Sequence, residues 1–332
     1  MKLFRGYFLA DLVGIGVVVL IFGVGFFGAI VGIFNNGVAT PVFGAGSTVT
    51  ATSTVIVGNA TPVVSAVTVN AGSAITLTAN ATTAINVVAT ITDNNGCGDI
   101  TNGTTTVLLY RSGITSSTCM TTANNLNCYQ ATVFTASSTC AANTQNTTTT
   151  FGVYYFADST QDAGSATSSF PSQNWLATVI FKDANNGTGT ADSSGVDLNV
   201  LTAINVTTSS INYGTLSASS TTGSTNQLAT STNAGNSTTT IRLSANSTLT
   251  KGADFITTSS QRYSTSSFTF SGTSTALTAS PVTVLGFTLV TPTSTTNVSK
   301  STYWGLEVVA GIATGTYSGV NLFTSLYIDV AN

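Results

Sequence analysis

Two stretches fix the fold class of this chain: "AINVVATITDNNG", starting at Ala84, and "NWLATVIFKDANNG", starting at Asn174. In the first, Ile85, Val87, Ala89 and Ile91 recur at every second position; in the second, Trp175, Ala177, Val179 and Phe181 do. A period of two lines up side chains on one face of a strand, whereas a helix would scatter them around its axis. Each run ends in a cluster of Asp, Asn and Gly that turns the chain. "TTVLLYRSG" and "TTFGVYYFAD" read the same way. Further along, "INVTTSSINYGTL", "STTTIRLSAN", "SSFTFSG", "VTVLGFTLVT" and "YWGLEVVA" read as strands, and the chain closes with "GIATGTYSGVNLFTSLYIDV". The helix formers Glu, Lys and Arg are scarce, while Thr, Val, Ile and aromatics favour strands. Everything after about residue 60 therefore reads as β, in two β-sandwich domains over residues 61–202 and 203–332.

The cysteines are Cys97, Cys119, Cys128 and Cys140, all in the first of these domains. The chain has no histidine, and no paired CxxC spacing is present, which argues against zinc. An even number of clustered cysteines fits two disulfides made in an oxidising compartment. Three pairings are open. The favoured one closes the loop "CMTTANNLNC" with Cys119–Cys128 and ties the flanking strands with Cys97–Cys140; the alternative is four free buried thiols.

The N-terminus is different in kind. Leu12 to Phe34 holds no charged residue. As a helix it would span roughly 35 Å, enough for a hydrocarbon core of about 30 Å. Lys2 and Arg5 precede it and the next basic residue is Arg111, so the N-terminus is expected to start in the cytoplasm with the β region outside the cell. Gly25, Gly28, Ala29 and Gly32 lie near one face, a small-residue stripe that lets helix backbones approach one another in lipid. Three fates are open: a permanent anchor, a segment removed after "GVA" near Ala39, or an assembly handle. Residues 35–60 follow, read as a linker ending in one strand, "STVTATSTVIV", or as an extended arm that adds to a neighbour's sheet edge.

The opening "MKLFRGYFLAD" resembles the leader of a type IV pilin or a related filament subunit. That resemblance implies a short basic leader over residues 1–6, cleavage after Gly6, and Tyr7 as the new N-terminus of a hydrophobic assembly helix over 7–34. Asp11 then stands fifth in the mature chain. A carboxylate at the edge of an apolar helix is costly unless paired, and the free amino group of a neighbouring subunit would pair it and set the register. This chain has Asp where those families usually carry Glu, and its helix is unusually rich in Gly. "GTYSG" around Tyr317 resembles the tyrosine corner of immunoglobulin-like domains. The segments "ITDNNGCGDI", "YYFADST", "STNAGNSTTT", "QRYSTSSFTFSG" and "STYWGLEVVAGIATGTYSG" resemble threonine-rich surface proteins of candidate phyla radiation bacteria. This implies extracellular immunoglobulin-like sandwiches and no particular activity.

Charged residues make up 6% of the chain and net charge is −3, with the basic residues scattered. No patch exists to neutralise phosphates, which excludes nucleic acid as a partner. The lack of histidine removes the commonest general base, and no two carboxylates are marked as partners, so no catalytic residue is assigned. Calcium is the one cofactor with candidate ligands: Asp93 and Asp99 in "DNNGCGD", Asp183 and Asp192 in "DANNGTGTAD". The alternative is that these are hydrogen-bonded turns. Sequons at Asn80, Asn102, Asn146, Asn205, Asn236, Asn246 and Asn297 follow from a Ser/Thr content of roughly a third, and glycosylation remains open. The expectation is a structural cell-surface protein, a pilin-like subunit that forms homo-oligomers. The alternative is a membrane-anchored adhesin or envelope protein whose sandwiches bind an unknown surface ligand; an exposed Trp175 or Trp304 would favour it.

Overall fold

In the computed structural model the described residues are 51–132, 136, 138–162, 168–270 and 274–328. The expected leader, the hydrophobic helix and the start of the linker lie outside them. Among the described residues no helix is long and apolar enough to cross a membrane.

The chain is mainly β. Strands β1 (Val63–Val69), β2 (Thr82–Thr92), β3 (Thr104–Arg111), β4 (Cys128–Ala131), β5 (Thr144–Tyr154), β6 (Trp175–Lys182) and β7 (Thr188–Asp192) form the first half. They make two antiparallel sheets, ordered β1-β2-β5 and β4-β3-β6-β7. The alternation read from the sequence is what lets these sheets share a core. Ile85, Val87, Ala89 and Ile91 of β2 face Trp175, Ala177, Val179 and Phe181 of β6, all at most 2% exposed. A bulge between Ser65 and Thr68 shifts the β1–β2 register, with Ala66 in the left-handed region at φ 49°.

The second half holds β8 (Ile204–Val206), β9 (Ser220–Thr221), β10 (Gln227–Asn233), β11 (Thr239–Ala245), β12 (Leu249–Lys251), β13 (Asp254–Ile256), β14 (Gln261–Ser264), β15 (Thr275–Ala276), β16 (Val282–Thr283), β17 (Ser299–Val308) and β18 (Asn321–Tyr327). One sheet runs β15-β14-β17-β10-β8 with β9 beside β17, a second runs β16-β11-β18, and β12 and β13 pair as a hairpin. Trp304, Tyr263 and Ala229 from the first meet Ile241 and Leu243 from the second in a core of their own. Among the described residues no sheet mixes β1–β7 with β8–β18. Both halves nevertheless belong to one compact unit, Asn59–Asn332.

Four sequence readings need correction. The region after residue 60 is not all β: helices α1 (Cys97–Thr101) and α2 (Ser116–Thr121) interrupt it, each carrying a cysteine. In α2 the Thr115 hydroxyl caps the helix by accepting the Thr118 N–H at 3.2 Å. "INVTTSSINYGTL" keeps a ladder only over Ile204–Val206. "SSFTFSG" forms no strand over its described residues; Phe268 and Phe270 instead pack close to Gly305 of β17. "VTVLGFTLVT" pairs in a strand only at Val282–Thr283, because Gly286 at φ 72° turns the chain.

Candidate functional site

Three of the four candidate calcium ligands, Asp93, Asp99 and Asp183, fall into two loops that the fold brings together. The end of β2 carries Asp93 and leads into α1 with Asp99; the β6–β7 turn carries Asp183. Asp93 Oδ1 accepts the Asn95 N–H at 2.8 Å. Asp183 Oδ1 accepts the N–H groups of Asn185 and Gly187 at 2.8 and 2.7 Å. These are the side-chain-to-backbone turns that Asp-x-Asn sequences make by themselves. Asn185 Nδ2 donates to both Asp99 carboxylate oxygens at 3.0 Å, and the Ala184 N–H reaches the Asp99 carbonyl, so one loop locks the other. Asp192 is apart from them and accepts the Thr178 hydroxyl at 2.5 Å.

The chain enters the first half through this pair of loops. Asn59 Nδ2 donates to Asp183 Oδ2 at 3.0 Å, and the Ala60 N–H donates to Asn95 Oδ1 at 2.5 Å. Burial pushes the Asp183 carboxyl up, but the hydrogen bonds from Asn59, Gly187 and Asn185, with the charge of Lys182, outweigh it and leave the group below its ordinary value. Gly187 is there because a Cβ would overlap Asp183 Oδ2 and stand 2.9 Å from Asn59 Nδ2. The carboxylates thus already have partners within the chain, apart from the buried Asp93 Oδ2. Among the described residues, no group of three or more His, Cys, Asp or Glu side chains has the spacing of a metal site. What the loops do is clamp the incoming segment.

At the opposite end of the first half lies a buried ion pair. Arg111 Nε donates to Asp158 Oδ2 at 2.8 Å, with both side chains about nine-tenths buried. The Arg111 guanidinium also donates to Gln173 and stacks 3.6 Å from the Phe170 ring centroid. Burial pushes the Asp158 carboxyl up, and Arg111 only partly opposes this. Trp175 lies alongside, its Nε1–H donating to the Asp158 carbonyl at 2.9 Å. Tyr129 fixes the same region: its hydroxyl donates to the Asn125 carbonyl at 2.6 Å and accepts the Tyr154 N–H at 3.0 Å. Tyr317 makes the equivalent upstream bond in the second half, to the Ala313 carbonyl at 2.9 Å. The "GTYSG" motif pointed to Tyr317; nothing around Tyr129 but a turn-rich loop, "TTANNLNC", marked it.

Both tryptophans are fully buried, Trp175 and Trp304 alike. They are core anchors and offer no aromatic surface to a ligand. The disulfides are Cys97–Cys140 and Cys119–Cys128, with Cα separations of 5.8 and 5.4 Å. The first ties α1 to the loop before β5, and the second ties α2 to β4. Of the sequons, Asn236 is buried, whereas Asn80, Asn102, Asn146, Asn205, Asn246 and Asn297 are exposed. Gly6, Tyr7, Asp11, Gly25, Gly28, Ala29 and Gly32 lie outside the described residues.

No protein-family model matches the chain, and no curated protein does. A solved structure, dimeric latent PorU from Porphyromonas gingivalis, aligns with 76% of this chain at 11% identity and a TM-score of 0.21. The aligned part is 24% of the PorU chain, and a likeness this slight carries no argument about fold or function.

Proposed function

We propose that the protein is a non-catalytic, structural cell-surface subunit that assembles with copies of itself into a pilin-like filament through its N-terminal hydrophobic helix. The observation that carries this reading is the order of the first residues: a short basic leader ending at Gly6, Tyr7, Asp11 in the fifth place after it, and an uncharged run from Leu12 to Phe34. A simple anchor has no use for a carboxylate at that position. A packed bundle does, because the charge can be paired only when copies are in register. The stripe of Gly25, Gly28, Ala29 and Gly32 serves the same close packing.

The β region suits an outward-facing, load-bearing body. Two immunoglobulin-like sandwiches in series, over residues 61–202 and 203–332, account for the separate cores, and the two disulfides fit an extracellular location. The scarcity of charge suits surfaces packed beside copies of themselves.

The test is the N-terminal sequence of protein recovered from intact cell surfaces. A start at Tyr7 is expected. A start at Met1 would leave the helix as an anchor and favour a membrane-bound adhesin. A start near Thr40 would sink both readings, since the helix would never reach the working protein.

A further inference from the structure

We propose that the Cys97–Cys140 disulfide is a thiol-sensitive latch: a small thiol opens it in the folded chain, and its opening releases the loop clamp that holds Asn59 and Ala60. The inference goes beyond the filament reading and does not depend on it.

The two disulfides differ in what covers them. Cys119 and Cys128 are 0% and 1% exposed and belong to a small apolar cluster with Leu108 and Tyr110. Cys97 and Cys140 are both only half-buried. Gly96 and Gly98 flank Cys97, and a Cβ added to either would meet nothing within 4 Å, so open space lies on both sides of it. Around Cys140, Ser138, Thr139, Ala141 and Ala142 are exposed. A disulfide is cut by a thiolate that reaches one of its sulfurs, so access sorts the two bonds: the exposed one is labile and the buried one resists.

Cys97 also sits between the two contacts that carry the clamp. Asn95, two residues before it, accepts the Ala60 N–H at 2.5 Å. Asp99, two residues after it, holds the Asn185 side chain through both carboxylate oxygens at 3.0 Å. Asn185 gives its own N–H to Asp183 Oδ1, and Asp183 Oδ2 takes the Asn59 amide. The helix between these contacts has little of its own to stand on. α1 is five residues long, Gly96 supplies no side-chain cap, and Ile100 is its one buried residue. A helix that short does not persist by itself, so the cross-link to Cys140 and the burial of Ile100 are what fix it. The turn before α1 meets the same partner segment through hydrogen bonds, the Asp93 N–H to the Asn143 carbonyl at 2.9 Å and Asn143 Nδ2 to Asn94 Oδ1 at 3.3 Å. The disulfide is the covalent member of the set.

The exchange balances with a dithiol as the reductant. Its thiolate attacks one sulfur of Cys97–Cys140, the S–S bond breaks, and the other cysteine leaves as a thiolate that takes up a proton. The second thiol of the reagent then attacks the mixed disulfide, the remaining cysteine leaves and is protonated, and the reagent departs as a cyclic disulfide. The protein gains two electrons and two protons, and the reagent loses them. Opening frees α1 from Cys140 and leaves Cys119–Cys128 and the buried Ile100 in place. Asn95 and Asp99 then lose the fixed position from which they hold Ala60 and Asn185. An excess of a linear small-molecule disulfide runs the same steps backward and closes the latch.

The test uses the full chain in detergent at neutral pH, treated with dithiothreitol for graded times and then blocked with iodoacetamide. Peptide mass spectrometry reads which cysteines are labelled. The side-chain amide signals of Asn59 and Asn185 read the clamp, and the methyl signals of Ile85 and Val179 read the core. Cys97 and Cys140 are expected to label about tenfold or more faster than Cys119 and Cys128. The Asn59 and Asn185 signals should move to their free positions as that labelling proceeds, with the methyl signals unchanged. Cys97→Ser with Cys140→Ser should show the moved signals without reagent, and Cys119→Ser with Cys128→Ser should keep the response to it. Equal labelling of the four cysteines, or labelling of Cys97 and Cys140 with the Asn59 and Asn185 signals in place, overturns the proposal. Loss of the methyl signals together with the amide signals overturns it as well, since the bond would then be a staple of the whole fold.

Discussion

At the scale of single residues, the first half is held at its two ends by carboxylates under opposite influences. Asp183 sits below the ordinary carboxylate value of 3.8 because the clamp hydrogen bonds favour its charged form. A depressed acid contributes stability that is fully present above its unfolded value and is lost as pH falls through its folded one. The Asn59 clamp is therefore expected to hold at neutral pH and to release below the usual carboxylate range. The side-chain amide signal of Asn59 should move to its free position there, and Gly187→Ala should release it already at neutral pH. Asp158 is the reverse case, raised by burial despite Arg111. Burial disfavours its charged form, and the pair's worth lies in not leaving either charge alone. Asp158→Ala should cost about 3–5 kcal/mol in denaturant unfolding by stranding Arg111. Arg111→Met together with Asp158→Ala should cost less than Asp158→Ala alone. A double-variant cost equal to the sum of the two single-variant costs would mean the two charges are not coupled.

At the scale of elements, legibility follows from where the polar side chains go. Strands β2 and β6 were plain in the sequence because their buried faces are apolar at each second position. β10, "QLATSTN", was not, since Ser231 and Asn233 are as buried there as Ala229. Asn233 Nδ2 donates to the Ser237 and Val290 carbonyls at 2.8 and 3.0 Å, so a polar side chain does the work of a core residue. In a chain so rich in Ser and Thr, hydropathy loses the contrast on which a period of two depends. The clamp was half legible: the Asp-x-Asn loops were marked, but their meeting needs the β2 and β6 ends side by side. The favoured cysteine pairing matches the observed one, while the helices that carry Cys97 and Cys119 are too short for any periodicity. Cys97–Cys140 spans 43 residues and Cys119–Cys128 spans 9. On the loop-entropy model they are worth about 4 and about 2.6 kcal/mol. Cys97→Ser with Cys140→Ser should thus lower stability more than Cys119→Ser with Cys128→Ser. The reverse order would show that anchoring α2 to β4 outweighs loop closure.

At the scale of the whole molecule, the question is whether two cores behave as one body under load. Polar groups meet at their junction. The Asn236 side chain accepts the Leu201 N–H at 2.6 Å and donates to the Ala157 and Asn199 carbonyls at 3.1 and 3.2 Å. The Asn236 N–H returns to the Leu201 carbonyl at 3.0 Å, and Gly235 leaves no room for a Cβ against that same carbonyl. One buried amide thus stitches the end of the first half, the connection and the β10–β11 turn. Asn236→Ala would leave a buried N–H and two carbonyls without this partner, at about 1–3 kcal/mol for each group that water cannot reach. The substitution removes no apolar side chain from either core, so both should still fold. The native chain is expected to melt in a single calorimetric transition, and Asn236→Ala to split it in two, with the disulfide-bearing half identified by its shift on reduction. A variant that still melts as one, at a lower temperature, would show that the halves are coupled by more than this asparagine.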